Sequence, residues 1–170
     1  MPASIKPKYR ILTATELQQL EQEFIYFLAS QSISVEEWLD YKRNQPNKVE
    51  EMIVRFSDFI LSSTYQKCRL VEEVTSNGWI FYHFDDDQKE IRLVGITLDG
   101  SAAIDFRQVD RATLLNLLDA APEGTLRVIQ ARKPQMADKV HEVDQMLKRG
   151  AFLSQDLTLF NQLEALASSL

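Results

Sequence analysis

Cysteine occurs once in this chain of 170 residues, histidine twice, and glycine and proline five times each. Each shortage closes off a class of protein. A single cysteine, Cys68, allows no internal disulfide and no cysteine-based zinc site. Two histidines exclude a histidine-rich metal centre. So few glycines and prolines leave no linker or low-complexity segment. Motifs are missing too: there is no G-x-G-x-x-G, no G-x-x-x-x-G-K-[ST], no H-E-x-x-H and no G-x-S-x-G. Nowhere do the roughly 18 apolar residues needed for a membrane span run together, and the opening MPASIKPKYR has no apolar signal-peptide region. A reducing, cytoplasmic setting is the expectation. Net positive charge is also absent, at −6. That balance argues against a general nucleic-acid or anionic-membrane binder, which carries a basic face.

What is present is ordinary for a globular protein, with 45% apolar and 26% charged residues. The length suits one domain, residues 1–170, with a single core. Thr13 and Glu16 form a capping box, with Leu12 and Leu17 as its hydrophobic staple. Leu17, Leu20, Phe24, Phe27 and Leu28 then recur at helical spacing, predicting a helix over about 13–31. Ser34 and Glu37 repeat the device, with Ile33 and Trp38 as staple, for a helix over about 34–43. Pro46 suits the first turn of a third, over about 46–67.

From Arg69 the apolar period changes from helical to alternating. Asn77-Gly78 and Asp99-Gly100 are hairpin signals, and the pattern predicts a four-stranded antiparallel meander with strands at about 70–75, 79–84, 89–98 and 101–106. Gly95, inside the third, points to a bulge or a close backbone approach. Asp110 caps a short helix. Residues 125–131 fit a fifth strand, Pro134 starts a helix ending at Gly150, and a last helix covers about 156–167. Helices segregated from an antiparallel sheet make the class α+β.

The run KYRILTATELQQLEQEFIYFLASQSISVEEW followed by PNKVEEMIVRFSDFI resembles the opening of a family of small bacterial proteins, mainly from Bacteroidetes, described only as a domain of unknown function. KRGAFLSQDLTLFNQL is similar to that family's closing helix–Gly–helix segment. The resemblance covers most of the chain and implies a bacterial, cytoplasmic, single-domain protein. It carries no activity, ligand or site residue with it.

Candidate chemistry centres on WIFYHFDDDQKE, residues 79–90. The aspartates at 85–87 offer oxygen ligands, but Lys89 and Glu90 occupy the fifth and sixth positions of any calcium loop counted from Asp85, so no metal is expected. A hairpin tip explains them. His83 is the one histidine in the strands. A two-residue loop at 77–78 would place Glu72 opposite it, and a two- or four-residue loop after it would add Glu90. His83, Glu72 and Glu90 are therefore the catalytic candidates, weighed against a histidine merely paired with one carboxylate. Trp79, Phe81 and Arg92 are the binding candidates, on a mixed aromatic and polar face. His141, between Asp138 and Asp144 on one helix, fits a solvated face. Cys68 reads as a small hydrophobe. Two short basic stretches, Lys6–Arg10 and Arg127 with Arg132 and Lys133, leave a local anion site open.

Two functions follow. The first is a non-enzymatic interaction or adaptor protein with a protein partner or as a homodimer, since aromatics line both faces of strand 79–84. The second is a small-molecule-binding domain or hydrolase-like enzyme using His83 with Glu72 or Glu90. No cofactor is expected in either.

Overall fold

Both capping boxes form. Thr13 Oγ1 accepts from Glu16 N at 3.2 Å while the Glu16 carboxylate accepts from Thr13 N at 2.8 Å, opening α1 (Ala14–Gln19). Ser34 and Glu37 exchange the same pair of bonds at α3 (Val35–Asn44). Between them runs α2 (Glu21–Ser30). The single helix expected over 13–31 is therefore broken at Leu20, whose φ of −105° and ψ of 23° leave the helical region. Neither Pro nor Gly marks that break. In this computed structural model, residues 5–100 and 103–170 are described. The chain divides into two compact units, and the division falls between Thr64 and Tyr65, within α4 (Pro46–Lys67).

The first unit is helical and its core is aromatic. The Phe24 ring meets Trp38 at 5.3 Å and Phe56 at 4.9 Å, and Phe27 meets Phe56 at 5.4 Å. Buried Ser57 on α4 accepts a hydrogen bond from Leu12 N at 3.0 Å and donates one to Ile53 O at 2.7 Å. That hydroxyl satisfies a buried amide just ahead of the first cap.

The second unit is built on a five-stranded antiparallel sheet in the order β4-β3-β2-β1-β5. Its strands are β1 (Leu70–Val74), β2 (Gly78–Asp85), β3 (Glu90–Leu98), β4 (Leu126–Pro134) and β5 (Phe152–Ser154). The class is α+β and the first four strands form a meander, but its fourth member comes from further along the chain. Of the strand expected at 101–106, residues 101 and 102 lie outside the described residues. Ile104 and Asp105 are in no strand, and Phe106 opens a 3-10 turn (Phe106–Gln108). Asp99 N already donates to Thr125 O at 2.8 Å, so β4 takes the place beside β3.

Pro134 ends β4 and starts no helix. Gln135 N donates to Lys89 O at 2.9 Å, carrying the ladder one residue past the proline. The helix begins at Lys139 (α6, Lys139–Lys148), where Asp138 accepts from His141 N. Strand β5, three residues long, is too short for an alternating pattern to announce it. A second 3-10 turn (Arg111–Thr113) leads into α5 (Leu114–Ala120), and α7 (Leu157–Ser169) closes the chain.

The β1–β2 turn corrects a second expectation. Val74 pairs with Trp79 and Thr75 N donates to Gly78 O, so Ser76 and Asn77 form the loop. Neither Asn77 nor Gly78 has a positive φ, so no type I′ turn forms at 77–78. Gly78 is needed for proximity: a Cβ there would lie 2.9 Å from Ile96 O. Gly95 shows the close approach expected of it, with a Cβ position 2.7 Å from Trp79 O.

Pairing of Phe84 with Ile91 and Tyr82 with Leu93 puts those four on one face, as the favoured register expects. Trp79, Phe81 and His83 occupy the other, and that face is the core. Leu70, Phe81, Val94 and Ile96 meet Phe106, Leu114, Phe160 and Leu163 there.

Candidate functional site

The β1–β2 register separates two of the residues expected to act together. Leu70, not Glu72, lies opposite His83, and Glu72 lies opposite Phe81. Glu72 is 0% exposed and its partners are elsewhere. It accepts from Trp79 Nε1 at 2.9 Å and from Arg111 Nη1 and Nη2 at 2.6 and 2.5 Å. Arg111 Nε reaches on to Asp156 at 3.0 Å. Asp156 is the N-cap of α7 and accepts from Leu159 N, a bond that, together with Arg111, holds its carboxyl below the usual range. Donating to the Glu72 carboxylate raises the pKa of the Arg111 guanidinium. This cluster joins the sheet, the 3-10 turn and α7. Its centre, Glu72, is buried and satisfied, while Arg111 and Asp156 reach the surface.

Glu90 is not opposite His83 either. The turn Asp86–Lys89 has four residues, so Asp85 pairs with Glu90 and His83 with Arg92. Asp85 takes Gln88 N at 3.0 Å. Asp86 accepts from Lys139 Nζ at 2.9 and 2.8 Å and from Gln135 Nε2 at 3.3 Å. Lys139, itself buried, lies 5.3 Å over the Phe84 ring and latches the hairpin tip to α6. Among the described residues no three His, Cys, Asp or Glu side chains come together as metal ligands would. His141 is exposed, and Asp144 pairs with Lys148 instead. Half-buried Cys68 gives its thiol hydrogen to Leu70 O at 3.3 Å, and burial pushes that thiol's pKa up.

Trp79 and Phe81, expected as a binding face, are enclosed in the core, 6% and 0% exposed. Arg92 is different. The pairings His83–Arg92 and Arg92–Arg132 set three potential cations in a row across β2, β3 and β4 on one face. Like charges directly opposite repel, and each arginine has its own carboxylate. Arg92 Nη1 binds both Glu164 oxygens at 2.6 and 2.7 Å, while Arg132 Nη1 binds Glu90 at 3.0 Å. The third member stays neutral. Burial first, then the charges of Arg92 and Arg69, push the His83 pKa down. Its Nδ1 lies 3.3 Å from Arg92 Nη2, so an unprotonated Nδ1 is the acceptor there. Phe160 stacks on the imidazole at 5.1 Å and lies beneath the Arg92 guanidinium at 5.5 Å.

Beside this row, between α7 and the β3–β4 half of the sheet, lies a groove of about 620 Å³. Arg92, Gln130, Arg132, Asn161, Glu164 and Ser168 supply its polar lining. Such a volume suits a small ligand or a few side chains. Arg92 Nε faces burial with no partner, and a buried donor left unmade costs about 1–3 kcal/mol. Gln130 and Asn161 add exposed side-chain amides free of any intramolecular bond. The arrangement can receive a carbonyl or carboxylate oxygen. It offers no hydroxyl or thiol activated by a base: the Ser168 hydroxyl donates to Glu164 O at 2.9 Å, and His83 lies below, 5% exposed. Sequence reasoning singled out Arg92 and missed Glu164, Gln130 and Asn161. One signal was available for Glu164. It follows core residues Phe160 and Leu163 and precedes Ala167, which places a carboxylate on the buried stripe of α7.

No curated protein and no solved structure matches the chain. Residues 7–168 match a family of unknown function (DUF6495), and the chain belongs to that family.

Proposed function

We propose that this member of the family is a non-enzymatic interaction protein, and that its binding site is the groove between α7 and the β3–β4 half of the sheet. The observation that carries the reading is the pair of exposed amides, Gln130 and Asn161, free of intramolecular bonds in a groove beside Arg92 and Arg132. Donors held ready in a groove, with no nucleophile and base beside them, are the equipment of a binder. The hydrolase-like alternative needs a histidine lone pair aimed at bound substrate, whereas the Nδ1 of His83 faces Arg92. Self-association through Trp79 and Phe81 loses its motive, because those rings are internal. The proposal includes a bacterial, cytoplasmic setting. A single cysteine suits a reducing cytoplasm.

A random-peptide phage library panned on the wild-type protein tests this, with Ala165→Trp for counter-selection. Ala165 is exposed and lines the groove, so an indole there fills it without disturbing the core. Enriched peptides that bind wild type and lose at least about tenfold against the variant, about 1.4 kcal/mol, support the reading. Peptides that bind both alike, or no enrichment, overturn it.

A further inference from the structure

The groove has an open side, and the hydrogen-bond pattern of β4 says what fits it. Thr125 O accepts from Asp99 N, and Gln135 N donates to Lys89 O. In the β3–β4 register these are directly opposed pairs, and bonded pairs in an antiparallel ladder recur at every second residue. The odd-numbered residues of β4 therefore bond to β3. The N–H and C=O groups of Leu126, Val128, Gln130 and Arg132 point away from the sheet, at an edge where the described residues add no further strand. Pro134, next in that series, has no N–H, and it loses no ladder bond on the outward side. The even-numbered residues also direct their side chains to the face that α7 covers, and Gln130 and Arg132 line the groove. A strand added to this edge would set alternate side chains at the groove's mouth.

The charge pattern selects the occupant. Leu126–Pro134 carries Arg132 on the groove face, Arg127 and Lys133 on the other, and no acid, in a chain whose net charge is −6; Lys133 is held by Glu142 at 2.7 Å. A second copy paired antiparallel about Gln130 would set Arg127 against Lys133, a repulsive opposition. The intramolecular partners of Arg127 and Arg132, Asp99 and Glu90, form ion pairs in which each arginine is more than 60% exposed. Exposed pairs of that kind contribute about 0–1 kcal/mol and exchange readily. We infer, resting on the groove reading above, that the outer edge of β4 takes an extended acidic segment of a partner protein as a sixth strand. Its carboxylates lie on the groove side, against Arg132. Main-chain bonds supply affinity and the groove supplies selection, the division of labour of strand addition.

The probe is an acetylated, amidated peptide of alternating threonine and glutamate, long enough to span Leu126–Arg132, titrated into the full-length protein and followed by NMR. Binding should shift the amides of Val128, Gln130 and Arg132 and slow their exchange with solvent. In an antiparallel sixth strand, a residue that bonds to β4 shares a face with the residue opposite it. N-methylation at the glutamates should therefore weaken binding at least about tenfold, as should lysine in place of glutamate, while N-methylation at the threonines should leave it intact. Equal binding by both N-methylated forms, tight binding of the lysine peptide, or no binding of the parent peptide overturns the inference. A peptide that shifts Asn161 and Glu164, is lost in Ala165→Trp and ignores N-methylation overturns strand addition and leaves the groove reading standing.

Discussion

Replacing Arg111 with methionine removes two of the three donors that hold the carboxylate of Glu72, and leaves Trp79 Nε1 alone with a side chain that has no exposed surface. Breaking a buried pair from one side costs about 3–5 kcal/mol. Arg111 is itself 34% exposed, which favours the lower end, about 3 kcal/mol. With a urea m-value of about 1–2 kcal/mol per molar, the midpoint of the second unit should fall by about 1.5–3 M. Trp79 lies against this joint, and the only other tryptophan is Trp38. Fluorescence in a Trp38→Phe background therefore reports the joint directly. The double variant Glu72→Leu with Arg111→Met should recover part of the loss, since the unpaired buried carboxylate is gone while the Trp79 Nε1 donor loses its acceptor at about 1–3 kcal/mol. A midpoint shift below about 0.5 M for Arg111→Met would refute the reasoning, because that is under 1 kcal/mol at this slope. So would a double variant no more stable than the single one.

Three further outcomes are expected. His83 is held neutral in the folded state, so above about pH 6.5 neither state is protonated and it contributes no pH dependence. Below that the unfolded chain takes the proton first, and stability falls by up to about 1.4 kcal/mol per pH unit until the folded histidine titrates. His83→Phe should gain on wild type between pH 7 and 5 in chemical denaturation, and a constant difference would contradict this. Gly95→Ala drives a methyl into Trp79 O and should cost about 2–3 kcal/mol, read as a lower thermal midpoint; an unchanged midpoint would count against the close approach. Ser57→Ala orphans the buried amide of Leu12 at about 1–3 kcal/mol, visible as faster hydrogen exchange at Leu12 and absent if another acceptor takes over.

The helix starts were legible because a capping box is decided within four residues, and both boxes form as the sequence implies. The sheet was legible in class and in meander order, but less so in register. Asn77-Gly78 reads as a turn, while Gly78 is required by the closeness of Ile96 on another strand, and one glycine looks the same in either role. That shift of two residues separated Glu72 from His83. The parity of β2 against β3 was recoverable because one face had to hold Phe84 with Ile91. The groove was half legible: Arg92 stood out on a mixed face, whereas Glu164 is brought to it by packing over 72 positions of chain. No local pattern encodes that distance.

The three residues of β5 bear on how the chain is made. β5 covers the outer edge of β1 by pairing Phe152 with Glu72 and Ser154 with Leu70. During synthesis, β1 to β4 are complete before this cover emerges, and the edge of a strand carrying Leu70 and Val71 stays open until it does. Open edges of that kind are templates for pairing between chains. Three residues with no periodic signature act as the stop on the sheet's growth.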